Sequence, residues 1–144
     1  MKQSLELGLI GNCQIGALID GAGSMVWACL PGFDGDPVFC SLLGGQSDNG
    51  NGGHFSVEMI DFARSHQRYL HNSAVLETCL YDKTGGGVRI TDFAPRFRYL
   101  GRMFRPSMPV RTIEPLGGAP RIRVRLKPVF EYGATAPEIT HGSN

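Results

Sequence analysis

IGALIDGAGSMVWAC, residues 15–29, is the stretch that decides the fold class of this chain. Two apolar runs flank Asp20-Gly21-Ala22-Gly23, and Asp-Gly pairs between such runs favour the tight turns that join antiparallel strands. The stretch therefore predicts a β-hairpin.

A second stretch, RIRVRLK at residues 121–127, alternates strictly between basic and aliphatic residues. Successive side chains of a strand point to opposite faces, so Ile122, Val124 and Leu126 share one face and the basic residues share the other. The pattern predicts a half-buried antiparallel strand whose aliphatic side chains face the core.

Twenty glycines and nine prolines divide the rest of the chain into short pieces, which suits many strands joined by turns. A helical turn is expected after the Asp36-Pro37 pair, up to Leu43. Residues 44–53 are too rich in glycine and asparagine for regular structure and are expected to form a mobile connection. The remaining strands are expected at 5–10, 54–60, 66–71, 74–82, 87–93 and 111–114, and another strand is expected to begin at 138–141. The predicted fold is all-β, an antiparallel β-sandwich.

Length and charge exclude several classes of protein. The chain has 144 residues and a net charge of +1, so it is one domain or part of one, without the positive excess typical of nucleic-acid binding. Its longest apolar run is too short to span a membrane, and its first residues lack a secretory signal. The four cysteines form no Cys-x-x-Cys pair, so we expect buried free thiols, no metal site and a cytoplasmic location.

No stretch of the sequence predicts catalysis or cofactor binding. Residues 11–16 have the glycine spacing of a phosphate-binding loop, but Ala17 and Leu18 stand where that chemistry needs a lysine and a hydroxyl. The carboxylates stand singly, with no pair recognisable as acid and base. We therefore expect no catalytic residue, no metal and no cofactor in these 144 residues.

Two clusters combine aromatic and charged residues and are the candidate contact sites. Trp27 precedes the Phe33-Asp34 loop, and Asp92 and Arg96 flank the end of another predicted strand. Aromatic rings beside charged groups on loops suit sugar stacking and hydroxyl hydrogen bonds. The alternative is that these aromatic side chains close the end of the sandwich.

The order of several segments resembles the N-terminal, trehalase-like domain of bacterial glycoside hydrolase family 15 proteins, which include glucoamylases, glucodextranases and trehalases. The segments are LGLIGNC at 7–13, ALID at 17–20, GSMVWAC at 23–29, VLET at 75–78 and RITDFAP at 89–95. One departure is Gly32, where that family commonly has arginine, and it weakens the case for a sugar contact from this loop.

The resemblance implies a β-supersandwich followed by an (α/α)6 barrel that carries both catalytic glutamates. Residues 1–144 would then be an incomplete N-terminal sandwich, truncated at its C-terminus, without the barrel. Its expected role is to pack on the barrel of an inverting enzyme that hydrolyses α-glucosidic bonds. The alternative is a standalone carbohydrate-binding or protein-interaction module. Because a truncated sandwich exposes a sheet edge, a homo-oligomer through residues 128–140 is also expected, with no nucleic-acid or membrane partner.

Overall fold

The structure, a computed structural model, describes residues 5–43 and 52–142, and these form twelve strands and one short 3-10 turn. The strands are β1 Leu7–Gly11, β2 Gly16–Asp20, β3 Met25–Cys29, β4 Pro37–Phe39, β5 His54–Met59, β6 Phe62–Tyr69, β7 Leu76–Asp82, β8 Gly87–Phe93, β9 Phe97–Tyr99, β10 Arg102–Phe104, β11 Val110–Gly117 and β12 Ile122–Lys127. The 3-10 turn is Glu131–Gly133.

The strands build two antiparallel sheets and one separate hairpin. The first sheet has the order β1-β2-β3-β5-β12, with β4 also paired to β3, and the second has the order β11-β8-β7-β6. Among the strands that the structure describes, β9 and β10 pair only with each other. This architecture confirms the all-β, antiparallel sandwich predicted from the sequence.

The core lies between the two sheets in two groups of apolar side chains. Ile10, Ile19 and Met25 of the first sheet pack with Leu76 of the second. The other group joins β5 to β7 and β8; it consists of Val57, Met59, Leu80, Val88 and Ile90. Every one of these side chains comes from alternate positions of its strand, as a sheet with one buried face requires.

The hairpin at residues 15–29 is confirmed as β2 and β3. Asp20 closes its turn, because the Oδ1 atom accepts hydrogen bonds from the backbone amides of Ala22 and Ser24. Asp82 closes the β7–β8 turn in the same way, accepting from the amides of Thr84 and Gly86. The Thr84 hydroxyl donates to the same carboxylate, and this bond, followed by those from the amides, lowers the pKa of the Asp82 carboxyl.

Three local predictions are wrong or lie outside the described residues. The expected helical turn after Asp36 is instead strand β4, because Pro37 and Phe39 pair with β3. Pro37 occupies the first strand position, where its missing N–H costs no ladder bond. Most of the expected mobile connection, 44–51, lies outside the described residues. Residues 138–141 are not a strand in the structure.

The predicted burial of β12 is wrong for two of its three aliphatic residues. The strand forms, and Ile122 packs against the core, but Val124 is 50% exposed and Leu126 is 63% exposed. β12 is the last strand of the first sheet, and β11 is the last strand of the second. No further described strand covers the outer half of β12, so alternation alone did not decide burial.

The four cysteines are free, as expected, but they are not all buried. Cys29, Cys40 and Cys79 are buried, whereas Cys13 is exposed. Burial, with a smaller contribution from the Asp36 carboxylate, raises the pKa of the Cys29 thiol. The described part of the chain has no helix that is long and apolar enough to cross a membrane.

Candidate functional site

Asn12, in the turn between β1 and β2, organises one end of the sandwich. Its side chain is 2% exposed, and its Oδ1 atom accepts hydrogen bonds from the amides of Gln14 and Ile15. Its Nδ2 atom donates to the carbonyls of Pro95 and Pro106, at 2.9 and 2.8 Å. One buried amide therefore shapes its own turn and fixes both ends of the segment that carries β9 and β10.

The segment held in this way is a hairpin with an aromatic surface; we call residues 96–105 the aromatic hairpin. The rings of Phe97 and Phe104 stack with centroids 5.5 Å apart, and the ring of Tyr99 lies 6.3 Å from that of Phe104. These three side chains are 41–61% exposed, and Leu100 at the tip is 83% exposed. Two-stranded hairpins are marginal alone, so the stacked rings and the two bonds from Asn12 stabilise this one.

The aromatic hairpin is also strongly basic. It carries Arg96, Arg98, Arg102 and Arg105, and no acidic residue occurs in the sequence between Asp92 and Glu114. The Arg96 guanidinium lies 3.4 Å from the thiol sulfur of Cys13. Aromatic residues and arginine are both enriched at protein–protein interfaces.

The predicted Phe33-Asp34 loop reaches the same end of the sandwich. The Phe33 ring packs over Gly16, where an added Cβ would come within 2.9 Å of it, and yet 64% of Phe33 remains exposed. Asp34 is also exposed, and Gly32 lies against the Gln14 side chain. The β1–β2 turn thus contacts this loop on one side and the aromatic hairpin on the other; we call the three segments, 12–16, 30–36 and 94–106, the loop end.

Trp27 lies on the outer face of the first sheet rather than in the loop end. It pairs with Leu18, which pairs with Leu9, and all three side chains point away from the core. Gly16, beneath the Phe33 ring, lies on the same face by strand alternation. Trp27 and Phe33 therefore belong to one side of the molecule.

Asp92, the fourth candidate, is the buried partner of Arg111, its cross-strand neighbour on β11. Its carboxylate is fully buried, and Arg111 approaches both oxygens, at 2.6 and 3.1 Å. The same guanidinium donates to the Phe55 carbonyl in the first sheet at 2.8 Å and lies over the Phe55 ring. Burial raises the pKa of the Asp92 carboxyl, and the ion pair with Arg111 opposes that rise.

Sequence reasoning placed Phe33, Asp34 and Arg96 correctly on loops, and the structure brings all three to the loop end. It places Trp27 on a neighbouring face and takes Asp92 into the interior. It also adds two features that sequence reasoning missed, the role of Asn12 and the aromatic hairpin. Local signals existed for the two turns, an asparagine before a sharp turn and Leu100-Gly101 flanked by aromatic residues, but none for the bonds from Asn12 to Pro95 and Pro106.

The chain matches the family model described as trehalase-like, N-terminal, over residues 3–143. It belongs to the trehalase-like N-terminal domain family. The family assignment agrees with the resemblance drawn from the sequence segments.

Several proteins similar to this chain are named as trehalases. It is 32% identical to the trehalase of Thermoplasma volcanium and 33% identical to trehalase 1 of Sulfolobus acidocaldarius, each over 92% of this chain. It is 35% identical to the trehalase of Mycolicibacterium smegmatis over 56% of this chain. The match spans only 20–21% of the first two relatives, and no solved structure matches the chain.

The side chains of the loop end are of the kinds that bind a surface or a ligand. The buried carboxylates nearby are engaged: Asp92 with Arg111, and Glu77 with Arg68 at 2.8 Å and Arg89 at 3.1 Å. Within residues 5–43 and 52–142, no three His, Cys, Asp or Glu side chains converge as a metal site would require. Exposed rings, guanidinium groups and the two loop carboxylates, Asp34 and Asp36, remain, and these suit binding to a surface or a sugar.

Proposed function

We propose that this chain is a non-catalytic N-terminal domain of a trehalase-type glycoside hydrolase. The observation that supports it is the family match over residues 3–143, joined to relatives named as trehalases that are about five times as long. In this proposal the reaction, inverting hydrolysis of an α-glucosidic bond, belongs to a catalytic barrel in the same polypeptide. The location is cytoplasmic.

The loop end is the surface that we propose packs on the catalytic barrel. Its exposed rings and arginines have the composition of an interface centre, and Asn12 holds the hairpin in place before docking, which reduces the ordering cost of association. Phe33, Asp34 and Arg96 then lie at the rim, where they contact the barrel or the α-glucoside. Trp27 extends this surface along the first sheet.

Trehalose hydrolysis tests the first part of the proposal. The purified 144-residue chain and the polypeptide encoded by its complete reading frame are incubated with trehalose, maltose and isomaltose, and released glucose is measured. We expect turnover only from the longer polypeptide, because the two opposed carboxylates of the mechanism lie outside this chain. Turnover by the 144-residue chain, or a reading frame without a further domain, overturns the proposal and favours a standalone binding module.

The docking surface is tested by Phe97→Ala with Phe104→Ala in the longer polypeptide. Truncating two central aromatic residues of an interface costs more than about 1 kcal/mol, so the enzyme should lose trehalase activity faster on heating. Phe62→Ala is the matched control, since Phe62 is 46% exposed but belongs to β6 in the second sheet. Equal inactivation rates for the hairpin variant and the control contradict docking through the loop end.

A further inference from the structure

β12 has one edge that no described strand occupies. All six of its residues pair with β5, and it is the terminal strand of the first sheet. Along its other edge the backbone N–H and C=O groups face outward within the described part of the chain. Such an edge is a template for pairing with another strand.

The face of β12 toward the second sheet is apolar and only partly covered. Its register places Ile122, Val124 and Leu126 opposite Met59, Val57 and Phe55, so the aliphatic residues continue the core outward. A groove of about 480 Å³ begins where the strand ends, lined by Leu126 and the segment that follows it. Ile139, on the groove's wall, is 72% exposed. A further strand along β12 would bury Val124 and Leu126 and reach this groove.

On the opposite face of β12, three arginines contact only two carboxylates within the described residues. Arg123 and Arg125 share one carboxylate, that of Glu58, at 3.7 and 3.4 Å. Arg121 approaches Asp61 at 3.5 Å. The three guanidinium side chains are 52–77% exposed, so they can accept further acidic partners.

This charge pattern disfavours a second copy of β12 as the occupant of the edge. In a two-fold antiparallel pair centred on Val124, Arg123 of each copy would lie opposite Arg125 of the other. Like charges directly opposite each other in a sheet are destabilising. An occupant with acidic residues at those positions would instead form cross-strand ion pairs.

We propose that β12 is completed by an incoming β-strand in which aliphatic and acidic residues alternate, supplied by the same polypeptide outside residues 1–144. Its backbone fills the free edge, its aliphatic side chains cover Val124 and Leu126, and its carboxylates meet Arg123 and Arg125. The source follows from the length of the relatives, of which this chain spans 20–21%, and from the tendency of sheets to be completed by their own chain. In this respect the inference rests on the proposed function.

Two designed peptides test the chemistry of the site without any enzyme assay. Both are nine-residue, fluorescein-labelled peptides, one alternating Val with Glu and the other alternating Val with Lys. We expect the Glu peptide to bind the 144-residue chain at least about tenfold more tightly, because like charges across an interface are strongly unfavourable. A Glu peptide that is N-methylated at alternate residues, and therefore cannot pair along the edge, should not bind.

Charge reversal in the protein supplies the matched control. The double variant Arg123→Glu with Arg125→Glu should prefer the Lys peptide, and Arg123→Gln with Arg125→Gln, the milder variant, should lose the preference. Thermal melting confirms that each variant is folded. Equal binding of both peptides to the unaltered chain overturns the proposal, and so does binding of the N-methylated peptide. The proposal also fails if the unaltered chain dimerises and the Arg123→Glu and Arg125→Glu changes abolish the dimer.

The longer polypeptide identifies the source of the strand. If its own strand fills the edge, the Glu peptide binds the 144-residue chain but not the longer polypeptide. Peptide binding to both would refute the intramolecular source. This readout is separate from trehalase activity, so the inference and the proposed function can fail independently.

Discussion

At the scale of single residues, Arg111 joins the two sheets, and its buried ion pair with Asp92 holds the guanidinium in place. Both side chains are at most 2% exposed, and the guanidinium also reaches the Phe55 carbonyl in the other sheet. Two charges in a dry interior are tolerated because they satisfy each other in a bidentate arrangement. Removal of either partner leaves an uncompensated charge between the sheets.

Arg111→Met should therefore cost about 3–5 kcal/mol of unfolding free energy at neutral pH. Burial already raises the pKa of Asp92 against the influence of Arg111, and without Arg111 that pKa is higher still. The folded variant then holds a proton that the unfolded chain loses, so its stability declines as pH rises from the ordinary Asp range towards neutrality. Urea unfolding at several pH values should show the deficit shrinking on acidification.

The control for that experiment is Arg123→Met, which removes an arginine whose side chain is 56% exposed. Surface ion pairs contribute about 0–1 kcal/mol, so this variant should stay close to the unaltered chain at every pH. A pH-independent deficit in Arg111→Met would argue that lost packing and the lost bond to the Phe55 carbonyl, rather than the charge pair with Asp92, cause the loss of stability.

At the scale of elements, the aromatic hairpin depends on a residue outside it. Asn12→Ala removes both donors to Pro95 and Pro106 and leaves their carbonyls without that partner, which should cost about 3 kcal/mol. Asn12→Asp keeps the acceptor for the turn but loses the donors, so it should free the hairpin while preserving the turn. Trypsin cleavage at Arg98 and Arg102 should accelerate in both variants. Unchanged cleavage would mean that the stacked rings alone hold the hairpin.

The β2–β3 turn offers a matched pair of glycine substitutions. Gly23 has a φ of +82°, and an added Cβ would lie 2.8 Å from the Cδ1 atom of Ile90 in the other sheet. Gly21, two residues earlier, has open space around it. Gly23→Ala should lose at least about 1 kcal/mol of stability, whereas Gly21→Ala should be neutral or stabilising by up to about 1 kcal/mol. Thermal melting compares them, and similar shifts would contradict the turn geometry.

At the scale of the whole molecule, the sandwich is well packed in the middle and open along the side where β11 and β12 end their sheets. Val57 and Val124 are direct cross-strand neighbours on one face, yet Val57 is 2% exposed and Val124 is 50% exposed. The difference between them comes from what lies above and beside each strand, since β5 has a strand on both sides and β12 on one side within the described residues. The open side is therefore a property of the assembly of sheets rather than of any strand.

Val57→Asp should unfold the 144-residue chain, because it buries a carboxylate without a partner. Val124→Asp should cost only about 1 kcal/mol, the range of strand propensity at an exposed position. Circular dichroism melting curves of the two variants make the comparison. Comparable losses of stability would mean that the outer half of β12 is covered in solution by the chain itself, and would count against the free edge.

The local sequence determined most of the longer strands and the turns closed by Asp20 and Asp82, whereas the short strands β4, β9 and β10 were not predicted. The Asp20 and Asp82 side chains bond amides two and four residues ahead, so both turns could be predicted from a few letters. The resemblance of ordered segments likewise identified the family that the match over residues 3–143 confirmed.

Burial and the candidate site were decided only by the tertiary structure, since they depend on residues far apart in the chain. Asp92 looked like a loop carboxylate until Arg111 and Phe55 came together around it. Asn12 acquires its role from carbonyls 83 and 94 residues away, and no local pattern announces such a partner. Alternation placed the aliphatic residues of β12 on one face, but whether a face is buried depends on the layer packed above it.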